Sequence, residues 1–485
     1  MSSPSENSSA LNLPVKEIPG SYGLPFFGPI KDRIDFYYNQ GPEEFFRARM
    51  KKYNSTVFRV NSPPGPFNAK DSKVIVLLDA VSFPILFDTS KVEKRNVFIG
   101  TFMPSTNFTG GYRICAYLDP SEPKHTTLKG FYLSLLDKLH KELIPTFCSS
   151  VSNLFTDLEN ELSKNGEANF NAISDKMSFD FLFRLFANKS SYDTIIGGNG
   201  NTNLDRWLFF QLAPLITLGL KFLPNWLEDL LLHTFPLPYF PVKSGYERVH
   251  AALRTAAAAL LDEAEKQGLN RDEATHNLLF LTGFNTYGGA KVVFPALLKY
   301  IGTAGESLHH RLAEEIRSVV KEEGGVTLAG LNKMSLTKSV VWEALRIEPP
   351  VPFQYAKAKE EIKIKSHDAA YVIKKGETIC GYQPFATRDP KVFENPDEFV
   401  AERFVGEGEK MIKYVYWSNG RETEDPTAEN KQCPAREMVV MMLRMMAVEF
   451  FLRYDTFSVE TGRLLLGSSV TFKSVTKATK QLFIN

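Results

Sequence analysis

In the stretch ENKQCPAREMVVMMLRMM, residues 429–446, a single cysteine, Cys433, stands at the mouth of a long apolar, methionine-rich run. A lone cysteine is ordinarily a small core residue. Here the run reads as a helix opening near residue 434, with Lys431 and Arg436 beside the thiol. Dipole and charge both favour a thiolate in such a position. A thiolate there is either a nucleophile or a metal ligand. A nucleophile needs a histidine base with its own orienting partner, and the eight histidines show no motif that identifies one. A ligand would serve an iron centre onto which sulfur pushes electron density.

Two further groups of residues could position such a centre. VVWEALRIEPP sets Glu343 and Arg346 at i, i+3 on one helix face, followed by two prolines; PDEFVAERF then supplies Arg403, thirty residues before Cys433. In FLTGFNTYGGAK, residues 280–291, no acid occurs between His276 and Lys291. Asn285 stands there in an apolar stretch, followed by Thr286 and by Gly288 and Gly289, where a ligand could approach the backbone. A buried Asn needs hydrogen-bond partners, and either a ligand or a backbone carbonyl would serve.

The elements that must carry these residues are mostly helical. VSNLFTDLENEL, ALRTAAAALLDEAEKQG and LHHRLAEEIRSVVKEEGG each end in charge or glycine, within a helical region from about 125 to 345. TVFRVNSPPGPF and KVIVLLDAVSFPILF read as strands with a short helix, and LLLGSSVTFKSVTK as a closing hairpin. The helix from about 434 to 453 is apolar nearly all round, hence buried. Residues 206–242 are the most apolar stretch, but prolines and charges break it, so it is not a straight membrane span. Core packing and a surface that dips into lipid both fit it.

A net charge of +1 gives no field that would attract nucleic acid. Cys115, Cys148, Cys380 and Cys433 form no C-x-x-C pair, which argues against a zinc ribbon or a disulfide framework and suits a reducing compartment. The first residues lack a signal-peptide, anchor or transit-peptide pattern. We therefore expect a short disordered arm over residues 1–12 and a cytoplasmic protein.

The order Glu-x-x-Arg, Arg-Phe and Cys resembles the cytochrome P-450 superfamily. WSNGRETEDPTAENKQC, with an insertion before the cysteine, resembles its plant hydroperoxide-metabolising branch of allene oxide synthases, hydroperoxide lyases and divinyl ether synthases. IPGSYGLPFFGPIKDR, TGGYRICAYLDPSEPKH and GYQPFATRDPKVF carry the same likeness, which is strongest to the subgroup taking 9-hydroperoxides and often 13-hydroperoxides.

The resemblance implies a mainly α fold with a smaller β region, one large domain over residues 13–485 built around haem b, with Cys433 on the iron. It assigns Glu343, Arg346 and Arg403 to the core on the haem side, and haem contacts to Lys94, His125, Lys129 and Lys431. Asn285 would bind the hydroperoxide oxygen, and Lys291 would lie near the substrate. The substrate, a polyunsaturated fatty acid hydroperoxide, supplies both oxygens, so neither O₂ nor a reductase is required.

Phe98 and Thr286 match the dehydratases at two switch positions, where lyases often carry Leu and Ala. An allene oxide product is expected, with cleavage to aldehydes as the alternative. Ala435 and Arg436 depart from the family's Gly-Lys, and alanine there is expected to shift the helix slightly or weaken haem retention. A haem-free, lipid-associated binding protein is the alternative from another class. Peripheral contact with membranes or lipid bodies, and oligomeric state, stay open.

Overall fold

The computed structural model describes residues 13–98, 102–220 and 222–479. The expected arm therefore lies outside the described residues, as do the last six residues of the expected domain. Helices dominate, and the strands gather into small sheets. The largest sheet runs Val57–Asn61, Lys73–Leu77, Thr378–Tyr382, Phe353–Ala358, Val92–Glu93, antiparallel except where Lys73–Leu77 meets Thr378–Tyr382. Its β-branched and aromatic residues suit a sheet buried on both faces.

The main core lies between long helices. Phe147 on the helix Pro123–Asn165 meets Phe294 on Gly288–Ala304, and Phe155 meets Phe450 on Arg436–Arg453. The last of these is buried nearly all round, as its apolar sequence requires. VSNLFTDLENEL is the end of a 43-residue helix that carries Pro145 inside it. ALRTAAAALLDEAEKQG is not one helix: it is split at Ala257 into Phe240–Ala256 and Ala258–Lys266. Ala257 leaves helical geometry there, at φ −93° and ψ 25°. The C-terminal hairpin pairs Tyr454–Arg463 with Ser468–Lys477.

The central helix runs from Arg271 to Ala304. Asn270 caps it by accepting from the N–H groups of Asp272 (2.9 Å) and Glu273 (3.2 Å). From Phe280 to Tyr287 it widens into a π-helix, a form frequent at functional sites.

Glu343 fastens the helix Ser335–Ile347 to the segment that leads toward the cysteine. Its carboxylate accepts from Arg346 Nε (2.7 Å) and Nη2 (2.8 Å), from Arg403 Nε (2.9 Å) and from the Val400 N–H (2.9 Å). Glu343 and Arg346 have no solvent exposure. The second positive charge is held by carbonyls, since Arg403 donates to Glu394 O, Asn395 O and Glu398 O. Glu343→Ala would leave two guanidiniums without their anion, which costs about 3–5 kcal/mol for a buried pair. Urea unfolding should report that loss; an unchanged midpoint would contradict the structural role of the triad.

Candidate active site

Cys433 sits half-buried at the turn into the helix Arg436–Arg453. Its N–H donates to Ser418 O at 3.1 Å, which ties it to the hairpin at the start of the inserted segment. The segment is folded back on itself. Gln432 Nε2 donates to Arg421 O (2.7 Å) and Glu424 O (2.9 Å), while Glu422 accepts from the indoles of Trp342 and Trp417. Arg436 completes the clasp by donating to Glu422 O and to Asp425 Oδ1. The arginine that departs from the family pattern therefore ties the insertion to the helix. Ala435 has φ −92° and ψ 13°, which an L-residue adopts without left-handed strain, so the backbone here does not require glycine.

The electrostatic expectation at Cys433 needs correction. Burial pushes the thiol up, opposed by the Ala435 N–H, Lys129 and Arg436. Lys431 turns away: its ammonium donates to the carbonyls of Cys115 (3.1 Å), Ala116 (3.0 Å) and Leu118 (2.8 Å). A thiolate at this position would depend on a bound cation more than on the helix dipole.

The four residues expected at the haem edge do meet around this loop, in two roles. Lys129 and Lys431 pin backbone, Lys129 donating to Asn430 O, Asn430 Oδ1 and Gln432 O. Among the described residues Lys94 uses one donor, on Tyr355 O at 3.0 Å, and the buried Nδ1 of His125 has no partner. Burial, with Lys431 nearby, pushes Lys94 down to about 7; burial likewise brings Lys129 to about 8 and His125 to about 3. Asp119 is the carboxylate closest to offsetting this charge, and it is already bound by the Lys94 N–H. A buried cationic cluster so short of anions fits the two carboxylates of a haem, with Lys94 and His125 offering free polar atoms.

On the central helix, Asn285 is exposed although Gly283, Thr286 and Tyr287 beside it are buried. Its side-chain amide has no hydrogen-bond partner among the described residues, so the backbone-carbonyl alternative does not apply. A side chain at Gly289 would meet nothing within 4 Å, so open space fronts this part of the helix. Phe98 packs edge-on against Phe284, the residue before Asn285 in the chain, with ring centroids 5.4 Å apart.

Thr286 and Lys291 do not present free groups. The Thr286 hydroxyl donates to Leu281 O at 2.9 Å, capping a carbonyl that the wider π-turn has displaced. Lys291 is bound by Asp175 and by Asp205, the latter at 3.0 Å. A lysine in an apolar helix requires such carboxylates, but nothing local in the sequence picks out these two.

A cytochrome P-450 family model matches residues 293–421. The chain is 61% identical over 475 residues to allene oxide synthase 3 of Solanum lycopersicum, covering 98% of this chain and 97% of that one. The chain belongs to the plant hydroperoxide-metabolising cytochrome P-450 family. Within the family it is also 53% identical to the chloroplastic allene oxide synthase of Arabidopsis thaliana (96% of this chain, 90% of that one). A divinyl ether synthase of Solanum lycopersicum is 50% identical, over 99% of this chain and all of that one. Family membership implies a haem iron on a cysteine thiolate.

The buried amines give a pH dependence. Free lysines titrate near about 10.4. Because Lys94 and Lys129 titrate lower in the folded chain, at about 7 and about 8, the unfolded chain binds more protons between those values and about 10. Stability of the haem-free protein should therefore rise as pH climbs from 7 to 10. Denaturant titrations should show the rise diminished after Lys94→Met and after haem is loaded.

Proposed function

We propose that this protein dehydrates 9-hydroperoxides of linoleic and linolenic acid, and 13-hydroperoxides as well, to allene oxides, with haem b held by Cys433. The observation that carries this reading is the free, exposed amide of Asn285 in the middle of a mostly buried helix. An amide there offers a hydrogen bond to a peroxide oxygen without a proton-delivery chain. Loss of water from a hydroperoxide needs no external electrons, since the O–O bond is the oxidant, and so no reductase takes part. When bound, the thiolate-ligated haem supplies the cleavage of that bond.

What the side chains do follows from their positions. Asn285 orients the peroxide. Phe98, anchored on Phe284, presents an aromatic face to an electron-poor carbon, an effect of about 1 kcal/mol that shifts a product ratio about fivefold. Thr286 acts through the shape of the π-turn by holding Leu281 O. Binding of a substrate carboxylate at Lys291 requires exchange with Asp205, the more exposed of its two partners.

The substrate is a lipid, and an apolar surface suits its delivery. Leu24, Phe26, Phe27, Phe222, Trp226 and Phe240 are each more than 60% exposed. Their segments are joined by the Arg33–Asp229 ion pair (2.7 Å) and by Phe67 stacked on Phe235 (4.8 Å). Trp207, in the same apolar stretch of sequence, is instead a core residue, fully buried and donating to Phe108 O. Among the described residues no helix is long and apolar enough to cross a membrane. This surface rests on lipid rather than spanning it.

Purified protein given 9-hydroperoxylinoleate without NADPH should lose its substrate and yield ketols, the hydrolysis products of an allene oxide. Short aldehydes would identify a lyase, divinyl ethers a third outcome, and absence of a haem band a lipid-binding protein. Asn285→Ala should lower turnover roughly 100-fold, and Phe98→Leu should raise the aldehyde share about fivefold. Trp226→Glu should reduce sedimentation with liposomes, and undiminished sedimentation would exclude that residue from the lipid surface.

A further inference from the structure

Away from the cysteine loop, the helix Phe240–Ala256 crosses the first turns of the central helix and brings two histidines together. His250 and His276 stack with ring centroids 4.1 Å apart and an angle of 23°. Both Nε2 atoms face Asp272, His250 at 3.9 Å from Oδ1 and His276 at 3.8 Å from Oδ2. The three ligand atoms lie within 4.8 Å of one another. Among the described residues His250 Nε2 is buried without a hydrogen-bond partner, and nothing in the proposed reaction uses any of the three residues.

We propose that His250, Asp272 and His276 bind a transition-metal cation of the Zn²⁺ class. Two imidazoles and one carboxylate are the donor set such borderline ions favour, and a solvent molecule on the exposed side of Asp272 completes four-coordination. The surrounding contacts suit the site. Tyr246 Oη lies 2.6 Å from His276 Nδ1, so a proton on that nitrogen leaves the Nε2 lone pair for the metal. Arg254 donates to Asp272 Oδ1 at 2.8 Å, and the Tyr112 hydroxyl also faces this carboxylate. At Gly110 a side chain would come within 2.1 Å of His276 Nε2, so the imidazole has room only because glycine stands there.

The position carries a consequence for the enzyme. His276 lies two turns before Asn285 on one continuous helical path, so a cation here would brace the end of the helix that carries the peroxide site.

The test uses the haem-loaded full chain, stripped of adventitious metal with chelator and titrated with Zn²⁺ alone by calorimetry, with unfolding midpoints in parallel. Wild type should bind one Zn²⁺ that His250→Gln and Asp272→Asn each weaken at least about 100-fold, and Zn²⁺ should raise the wild-type midpoint but not those of the variants. Both altered side chains are partly exposed, and their midpoints without metal establish that they fold. Equal affinity in wild type and either folded variant, or no binding by wild type, would overturn the site.

Discussion

A buried carboxylate facing two guanidiniums is the constraint on which the cysteine side of this protein depends. Glu343 cannot lose either arginine without stranding charge in the core, so the helix that carries it and the irregular chain around residues 394–403 move as one body. Phe393 lies against both guanidiniums, at 4.8 and 5.7 Å, and adds an aromatic face to the same knot. The chain then proceeds from a fixed origin: Phe404 N–H donates to Ser339 Oγ on that helix. From there a short helical stretch and a two-residue hairpin lead into the inserted loop. Polar groups are costly to misplace in a core, and here that cost fixes where the loop begins.

The loop is fixed at its other end by a different chemistry. Lys129 and Lys431 satisfy carbonyls that no secondary structure covers, and Arg436 reaches back across the insertion from the first turn of the following helix. An insertion next to Cys433 would ordinarily loosen its position. Here the added residues are tied into the loop's own hydrogen bonds, and the arginine that departs from the family pattern is one of the ties.

Much of this was legible in the sequence, for identifiable reasons. Glu343, Arg346 and Arg403 could be read because a salt-bridge motif, a proline pair and a cysteine fall in a fixed order. Cys433 could be read because an apolar helix begins just after it. Asn285 stood out as a polar residue where the pattern demanded apolar ones, and the structure leaves its amide free. Other features depend on distant partners. Asp175 lies 116 residues from Lys291, and nothing in local spacing joins them. The roles of Lys129 and Lys431 as braces come from carbonyls, which sequence does not distinguish. Local propensity also misread the alanine-rich stretch around Ala257: alanine favours helix wherever it stands, whereas the break is set by packing.

The π-turn in the central helix changes the bookkeeping of faces along the chain. One extra residue per turn rotates everything downstream by about 100° relative to an uninterrupted α-helix. Residues before Phe280 and after Tyr287 thus belong to different stripes, and Asn285 falls at the seam, where the wider turn carries it out of the apolar face. Deletion of a single residue within 280–287 would restore the common helical register while leaving composition and hydrophobicity almost untouched.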